Sequence, residues 1–203
     1  MAERKAPSPF TRPAVDLARS LLGWELLRRE PDGSLTGGVI VETEAYPGGA
    51  DLASHSALGR RTSRNESMYL PGGHFYVYLI YGMHHCLNIV SGEADSGEAV
   101  LVRSLRPNTG LQSMRDRRPG RSDRDLARGP GRLCAALGVD RSFDGERIGG
   151  TGSLILRSGI EPEDVLATSR VGIQSSGQWA TRRWRFLCGD QTWWSVRPAE
   201  VGC

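Results

Sequence analysis

Lysine is almost missing from this chain: of 26 basic residues among 203, only Lys5 is not arginine. Chemistry through a Schiff base therefore has no evident internal amine, because Lys5 lies in a polar, proline-broken leader. Cysteine is scarce as well. Cys86, Cys134, Cys188 and Cys203 are scattered with no CxxC pair and no secretion signal, so no disulfide is expected and the four read as small, reduced core or surface residues. No apolar run approaches the roughly 18 residues of a membrane span, and "MAERKAPSPFTRPAV" lacks the charged-then-apolar layout of a signal peptide. The expectation is a cytoplasmic protein with no membrane segment. Walker A, GxGxxG, GxSxG and HExxH are all absent. "HHC" at 84–86 has the residue types of a metal site, but neighbours on a strand point to opposite faces and the H-x-E with P-C-x-x-C deaminase pattern is missing, so no zinc site is expected.

Charge is present but uneven. The net charge is +3, yet residues 103–132 hold nine Arg against three Asp, a local balance of +6, which leaves the rest of the chain at −3. A solvated charge run explains this, and a GC-rich genome explains the arginine bias; a phosphate-binding patch explains both, since Arg forks onto phosphate oxygens where Lys offers a point charge.

The length suits one domain with a real core. Pro13, then Ala14, Leu17, Ala18, Leu21 and Leu22 at helical spacing, closed by Gly23, predict an amphipathic helix. "WELLRR", a "PDGS" turn and "GGVIVETEAY" predict two adjacent strands; "HFYVYLIY" with "CLNIV" predicts the next pair and "EAVLVRSL" a third. "RGPGRLCAALG" reads as a short helix, "GSLILR" and "RRWRFLC" as strands, and the stretch around "RDRRPGRSDRD" as a basic loop. Strands and helices do not alternate, which argues against a doubly wound sheet. The expected fold is a mixed α/β single domain over 13–203, with a largely antiparallel sheet, surrounding helices, a protruding β-hairpin and a flexible leader over 1–12.

Two features invite chemistry. In "VIVETEAY" the period of two sets Ile40, Glu42, Glu44 and Tyr46 on one face and Val41, Thr43 and Ala45 on the other. Paired acids on a solvent-facing strand, or partners for nearby Arg, account for Glu42 and Glu44; a carboxylate with Tyr46 and His55 nearby also suits a general base. In "VYLIYGMHHCLNIV" the tip between two strands carries Tyr81 and Met83, where turns normally place Gly, Asn, Asp or Ser. An apolar tip usually touches something outside the chain.

The segments "GVIVETEAY", "ASHS", "RRTSRN", "YVYLIYGM", "LNIVS", "VLVRSLRP", "GPGRLCAALGVDRSFDG", "SRVGI" and "GQWATRRWRF", spread in this order from about Leu17 to Val196, are similar to the alkyladenine (methylpurine or 3-methyladenine) DNA glycosylase family. The resemblance implies one α/β domain with no metal or organic cofactor. It implies an activity that flips alkylated or deaminated purines out of duplex DNA and hydrolyses the bond to deoxyribose, leaving an abasic site in base excision repair. Its implied partner is double-stranded DNA bearing damaged purines, with the protein a monomer held at the nucleoid by that binding. Glu44 would deprotonate the attacking water, with Arg103 and the Val171 carbonyl holding it; Tyr46, His55 and Tyr78 would form the base pocket and Asn88 would clash with a guanine 2-amino group. Tyr81 would fill the gap left in the duplex, Met83 lining the same intrusion, and Arg60, Arg64, Arg132 and Arg141 would meet phosphates. A non-catalytic lesion-binding protein and a base hydrolase on another nucleic acid or a free nucleoside remain as alternatives.

Overall fold

A computed structural model describes residues 8–199; Lys5, Cys203 and the first seven residues of the expected leader lie outside them. The first helix, α1 (Ala14–Ser20), buries Ala14, Leu17 and Ala18 and is tied to the sheet by the Thr43 hydroxyl, which donates to the Ala18 carbonyl at 2.8 Å. Gly23 ends this unit at φ +83°, where a Cβ would lie 2.0 Å from the Ile160 carbonyl oxygen, so only glycine fits. Packing starts ahead of Pro13: Phe10 belongs to the core and sets its ring edge-on to Trp24, 6.2 Å between centroids.

Eight strands follow: β1 (Glu25–Arg29), β2 (Leu35–Tyr46), β3 (Phe75–Ile80), β4 (His84–Ser91), β5 (Glu98–Thr109), β6 (Leu154–Arg157), β7 (Val165–Thr168) and β8 (Arg185–Cys188). Every ladder is antiparallel, and the strand order is β3-β4-β5-β2-β1-β6, with β8 bridging β2 and β7. The fold is the expected mixed α/β domain built on an antiparallel sheet. β7, in "DVLATS", has no counterpart among the expected strands. The stretch expected as a basic loop instead holds two short helices, α2 (Leu111–Arg117) and α3 (Asp123–Leu126), ahead of α4 (Pro130–Leu137) with its left-handed Gly138 cap. Cys86, Cys134 and Cys188 are buried free thiols. Among the described residues no helix is long and apolar enough to cross a membrane.

The centre of the sheet departs most from simple alternation. β2 pairs with β5 along its length, and the register slips between Ile40 and Glu42 and again between Glu42 and Thr43. Such irregularities bend the strand and re-aim side chains. On the other edge of β2, β1 covers residues 35–39 and β8 covers Glu42, Thr43 and Glu44. Ile40 and Val41 therefore both enter the core, and Glu42 and Glu44 are fully buried, at 0 % exposure each. A solvent-facing pair of acids, the ordinary reading of the alternation, is thereby overturned. Strands β3 and β4 do alternate cleanly: Phe75, Val77, Leu87 and Ile89 enter the core, while Tyr76, Tyr78, Ile80, Cys86 and Asn88 face a cavity.

Candidate active site

A buried carboxylate is costly unless donors surround it, and both acids of β2 are surrounded. Oε1 of Glu44 accepts the Val171 backbone N–H at 2.6 Å, while Oε2 accepts the Tyr46 hydroxyl at 2.9 Å and Nη1 of Arg103 at 3.1 Å. Oε1 of Glu42 accepts Nε of Arg103 and Nε of Arg185, both at 2.8 Å, and the Ser195 hydroxyl at 2.6 Å; Oε2 accepts the Ser195 N–H at 2.5 Å. Arg103 is thus shared between the two acids. Its burial favours the neutral guanidine, but Glu44 and Glu42 outweigh that and raise its pKa, so it is a fixed cation. Glu42 anchors Arg103, and Arg103 orients Glu44.

Arg103 and Val171 line a cavity of about 270 Å³, and Glu44, fully buried and not itself among the lining residues, is hydrogen-bonded to both. The cavity walls include Tyr46, His55, Tyr78 and Asn88, so the four residues expected to hold a base share one space. Cross-strand register accounts for part of this, because Tyr76 stands opposite Asn88 and Tyr78 opposite Cys86. His55 arrives from the loop after β2. Its Nδ1 is 2.8 Å from the Tyr76 hydroxyl, and its ring meets that of Tyr78 edge-on at 4.5 Å. The loop is fixed by Asn65, a buried residue outside the expected set, whose Nδ2 donates to the carbonyls of His55 and Arg60 at 3.0 and 2.8 Å. Burial lowers the His55 pKa, and Arg64 and Arg60 lower it further, which keeps the imidazole neutral. Burial likewise raises the pKa of Tyr46 and Tyr78 well above the usual phenol value, and their hydroxyls stay protonated. Asn88 is held by its Nδ2, which donates to the Tyr76 carbonyl at 3.0 Å. Tyr76 itself, the partner of both His55 and Asn88, carries no signal in the sequence that separates it from a core tyrosine.

At the mouth, Tyr81, Gly82 and Met83 join β3 to β4. Tyr81 has φ +53° and Gly82 φ +69°, and the Met83 N–H donates to the Ile80 carbonyl at 3.2 Å, a tight turn with two left-handed residues. Glycine or asparagine takes that geometry freely, whereas a tyrosine is strained there by about 1–2 kcal/mol. Tyr81 is nonetheless 83 % exposed and Met83 70 %. Below the tip, His84 rests against Gly131 of α4, where a Cβ would meet the imidazole at 3.2 Å.

The arginines separate into two groups. Arg60 and Arg64 line a second, polar recess with Ser54, His55, Thr62 and Asn65; Arg64 donates to the Leu79 carbonyl at 2.8 Å and lies 5.7 Å from the Tyr78 ring centroid. Arg132 and Arg141 sit elsewhere, half exposed, 3.4 Å from Asp125 and 3.7 Å from Asp144. Much of the arginine-rich stretch is engaged within the fold. Arg115 pairs with Asp123, Arg117 with Glu30, and Arg128 with Asp125, and Arg118 donates to the Asp125 and Leu126 carbonyls. Among the described residues no group of three or more His, Cys, Asp or Glu side chains is arranged to hold a metal.

This geometry meets a clear set of relatives. The family model for methylpurine-DNA glycosylase (MPG) matches residues 8–192. The chain is 47 % identical over 195 residues to the probable DNA-3-methyladenine glycosylase of Encephalitozoon cuniculi, covering 94 % of this chain and 92 % of that protein. It is 43 % identical over 205 residues to the human DNA-3-methyladenine glycosylase, covering 94 % of this chain and 68 % of the relative. A putative 3-methyladenine DNA glycosylase of Bacillus licheniformis is 44 % identical over 177 residues, 87 % of this chain and 89 % of its own. With the match running from the first described residues through the strands that carry both buried acids, the chain belongs to the methylpurine-DNA glycosylase family.

Proposed function

We propose that this protein is a monofunctional DNA glycosylase that acts as a monomer on duplex DNA, extrudes alkylated or deaminated purines and hydrolyses their N-glycosidic bond. The observation that carries this reading is the fully buried Glu44 carboxylate, braced by Arg103, Tyr46 and the Val171 N–H, three residues that line an aromatic cavity. In this reading the purine enters between Tyr46, Tyr78 and the neutral His55, and its sugar faces Glu44. A water held by Glu44, Arg103 and the Val171 carbonyl gives its proton to Glu44 and its oxygen to C1′; the C1′–N bond breaks and its electron pair leaves with the purine. The carboxylate also stabilises the positive charge that develops on the sugar, as in other glycoside hydrolyses. Purines made cationic by alkylation leave as neutral bases and need no acid, whereas a neutral deaminated purine leaves as an anion and takes its proton from water. The test is a panel of duplexes, each with one defined lesion. Base release followed by strand scission only after alkali supports the proposal; no release from any lesion, or scission by the protein alone, overturns it.

Tyr81 acts as the wedge in the vacated position of the duplex, an apolar group inserted into the stack. Because its backbone is strained, Tyr81→Asn is expected to raise stability by about 0.5–1 kcal/mol while lowering excision. The loss is largest for firmly paired lesions and smallest for lesions in a bulge, and Tyr81→Phe keeps most of the activity. Parallel thermal melts and single-turnover assays check both halves; unchanged excision of paired lesions by the asparagine variant contradicts the wedge.

Asn88 excludes guanine by occupying the space that its 2-amino group needs, and its bond to the Tyr76 carbonyl holds it there. Asn88→Ser should raise release of undamaged or mismatched guanine while adenine-lesion activity persists. Guanine release at the wild-type level, with adenine lesions still excised, rules the gate out.

A further inference from the structure

A second buried ion pair lies behind the base cavity and has no part in the hydrolysis described above. Arg170 and Asp51 are 4 % and 1 % exposed. The guanidinium grips both carboxylate oxygens, Nη1 to Oδ2 at 2.6 Å and Nη2 to Oδ1 at 2.8 Å. Nη1 also donates to the Ala45 carbonyl at 2.9 Å and Nη2 to the Trp179 carbonyl at 3.3 Å. One residue thus fastens the end of β2, the loop that carries His55, the segment whose Val171 N–H holds Glu44, and the turn through Trp179.

The pair is also placed to act electrostatically. The guanidinium carbon lies 4.7 Å from the Tyr46 ring centroid and 5.1 Å from that of Trp184. Tyr46 lines the cavity and Arg170 does not, so the tyrosine ring separates the cation from the space where a base would stack. Nε of Arg170 is buried with no hydrogen-bond acceptor among the described residues. Stability alone is a poor reason for such a pair, since well-packed apolar side chains usually serve at least as well.

We propose that the Arg170–Asp51 pair is a specificity-determining element: it balances a cation with a carboxylate behind Tyr46 and so sets how the site divides its activity between positively charged and neutral purines. This rests on the purine-excising reading above. The negative face of an aromatic ring attracts a cation, and a cationic base stacked on Tyr46 competes for that ring with Arg170 and is repelled by it. Asp51 cancels most of the repulsion. A neutral base is indifferent to the balance.

The test is single-turnover excision of 3-methyladenine, a cation without a 2-amino group, and hypoxanthine, which is neutral, by the same proteins, with thermal melts to establish folding. Asp51→Asn leaves the guanidinium unbalanced, and the ratio of 3-methyladenine to hypoxanthine rates should fall roughly tenfold, the size of one uncompensated charge acting across a buried site. Arg170→Gln removes the cation and should move the ratio the other way; it carries the test alone if Asp51→Asn does not fold. A merely structural pair lowers both rates together, so an unchanged ratio, or a shift of the same sign in both variants, overturns the inference. Wild-type protein run alongside separates this from the wider reading: if it releases neither base, purine excision itself falls, whereas an active wild type with invariant ratios sinks the charge-balance role alone.

Discussion

Glu44→Gln is expected to slow single-turnover base release by roughly 10²- to 10⁴-fold, the range for loss of a general base, while binding to lesion DNA persists. The glutamine fills the same volume, so Tyr46, Tyr78 and His55 keep their cavity. It cannot take a proton from water or oppose positive charge on the sugar. It also disturbs the hydrogen bonds, because the carboxylate accepts from Val171 on one oxygen and from Tyr46 and Arg103 on the other, and an amide has one acceptor oxygen to offer. One set of donors is left facing an NH₂ group, and the variant should lose about 1–3 kcal/mol of stability as well. Excision at a near-normal rate by a folded Glu44→Gln protein removes Glu44 from the chemistry.

Arg103→Met should produce the largest stability change of any single substitution in the site. The methionine leaves Glu42 with Arg185 and Ser195 but takes from Glu44 its only charged partner among the described residues. Breaking a buried pair on one side costs about 3–5 kcal/mol, which for a chain of this size lowers the melting temperature by roughly 10 °C. A variant that melts with the wild type at neutral pH contradicts the shared-cation role of Arg103.

Glu44, Tyr46 and the tip at Tyr81 were legible in local patterns, whereas the base-holding roles of Tyr78 and Asn88 came from the resemblance alone. "VETEAY" sets an acid two residues before a tyrosine, and the apolar tip at Tyr81 stands out against ordinary turn composition. Resemblance then distinguished Glu44 from Glu42, a choice that the period of two leaves open. What was not legible depends on contacts distant in the chain. Arg170 and Asp51 are 119 positions apart, and Ser195 reaches Glu42 across 153; neither pairing leaves a local trace. The burial of Glu42 and Glu44 was hidden by register slips in β2 and by β8, which covers the strand from the end of the chain. The arginine-rich stretch misled in the other direction. Much of its charge pairs with Asp123, Asp125 and Glu30 within the fold, so a charge count overstates what is left for a phosphate backbone.

The central claim is that Glu44 faces the sugar of an extruded purine and opposes the charge that forms there. It is tested most directly by affinity for a duplex in which a cationic pyrrolidine ring replaces the deoxyribose at the lesion position, measured against the same duplex with a neutral tetrahydrofuran. A group that stabilises a transition state binds its mimic more tightly than a neutral analogue. The wild-type protein should prefer the pyrrolidine duplex by at least roughly tenfold, the size of one favourable charge contact in a buried site, and Glu44→Gln should lose that preference while binding the tetrahydrofuran duplex as before. Equal preference for the cation in the wild type and in Glu44→Gln would contradict the account.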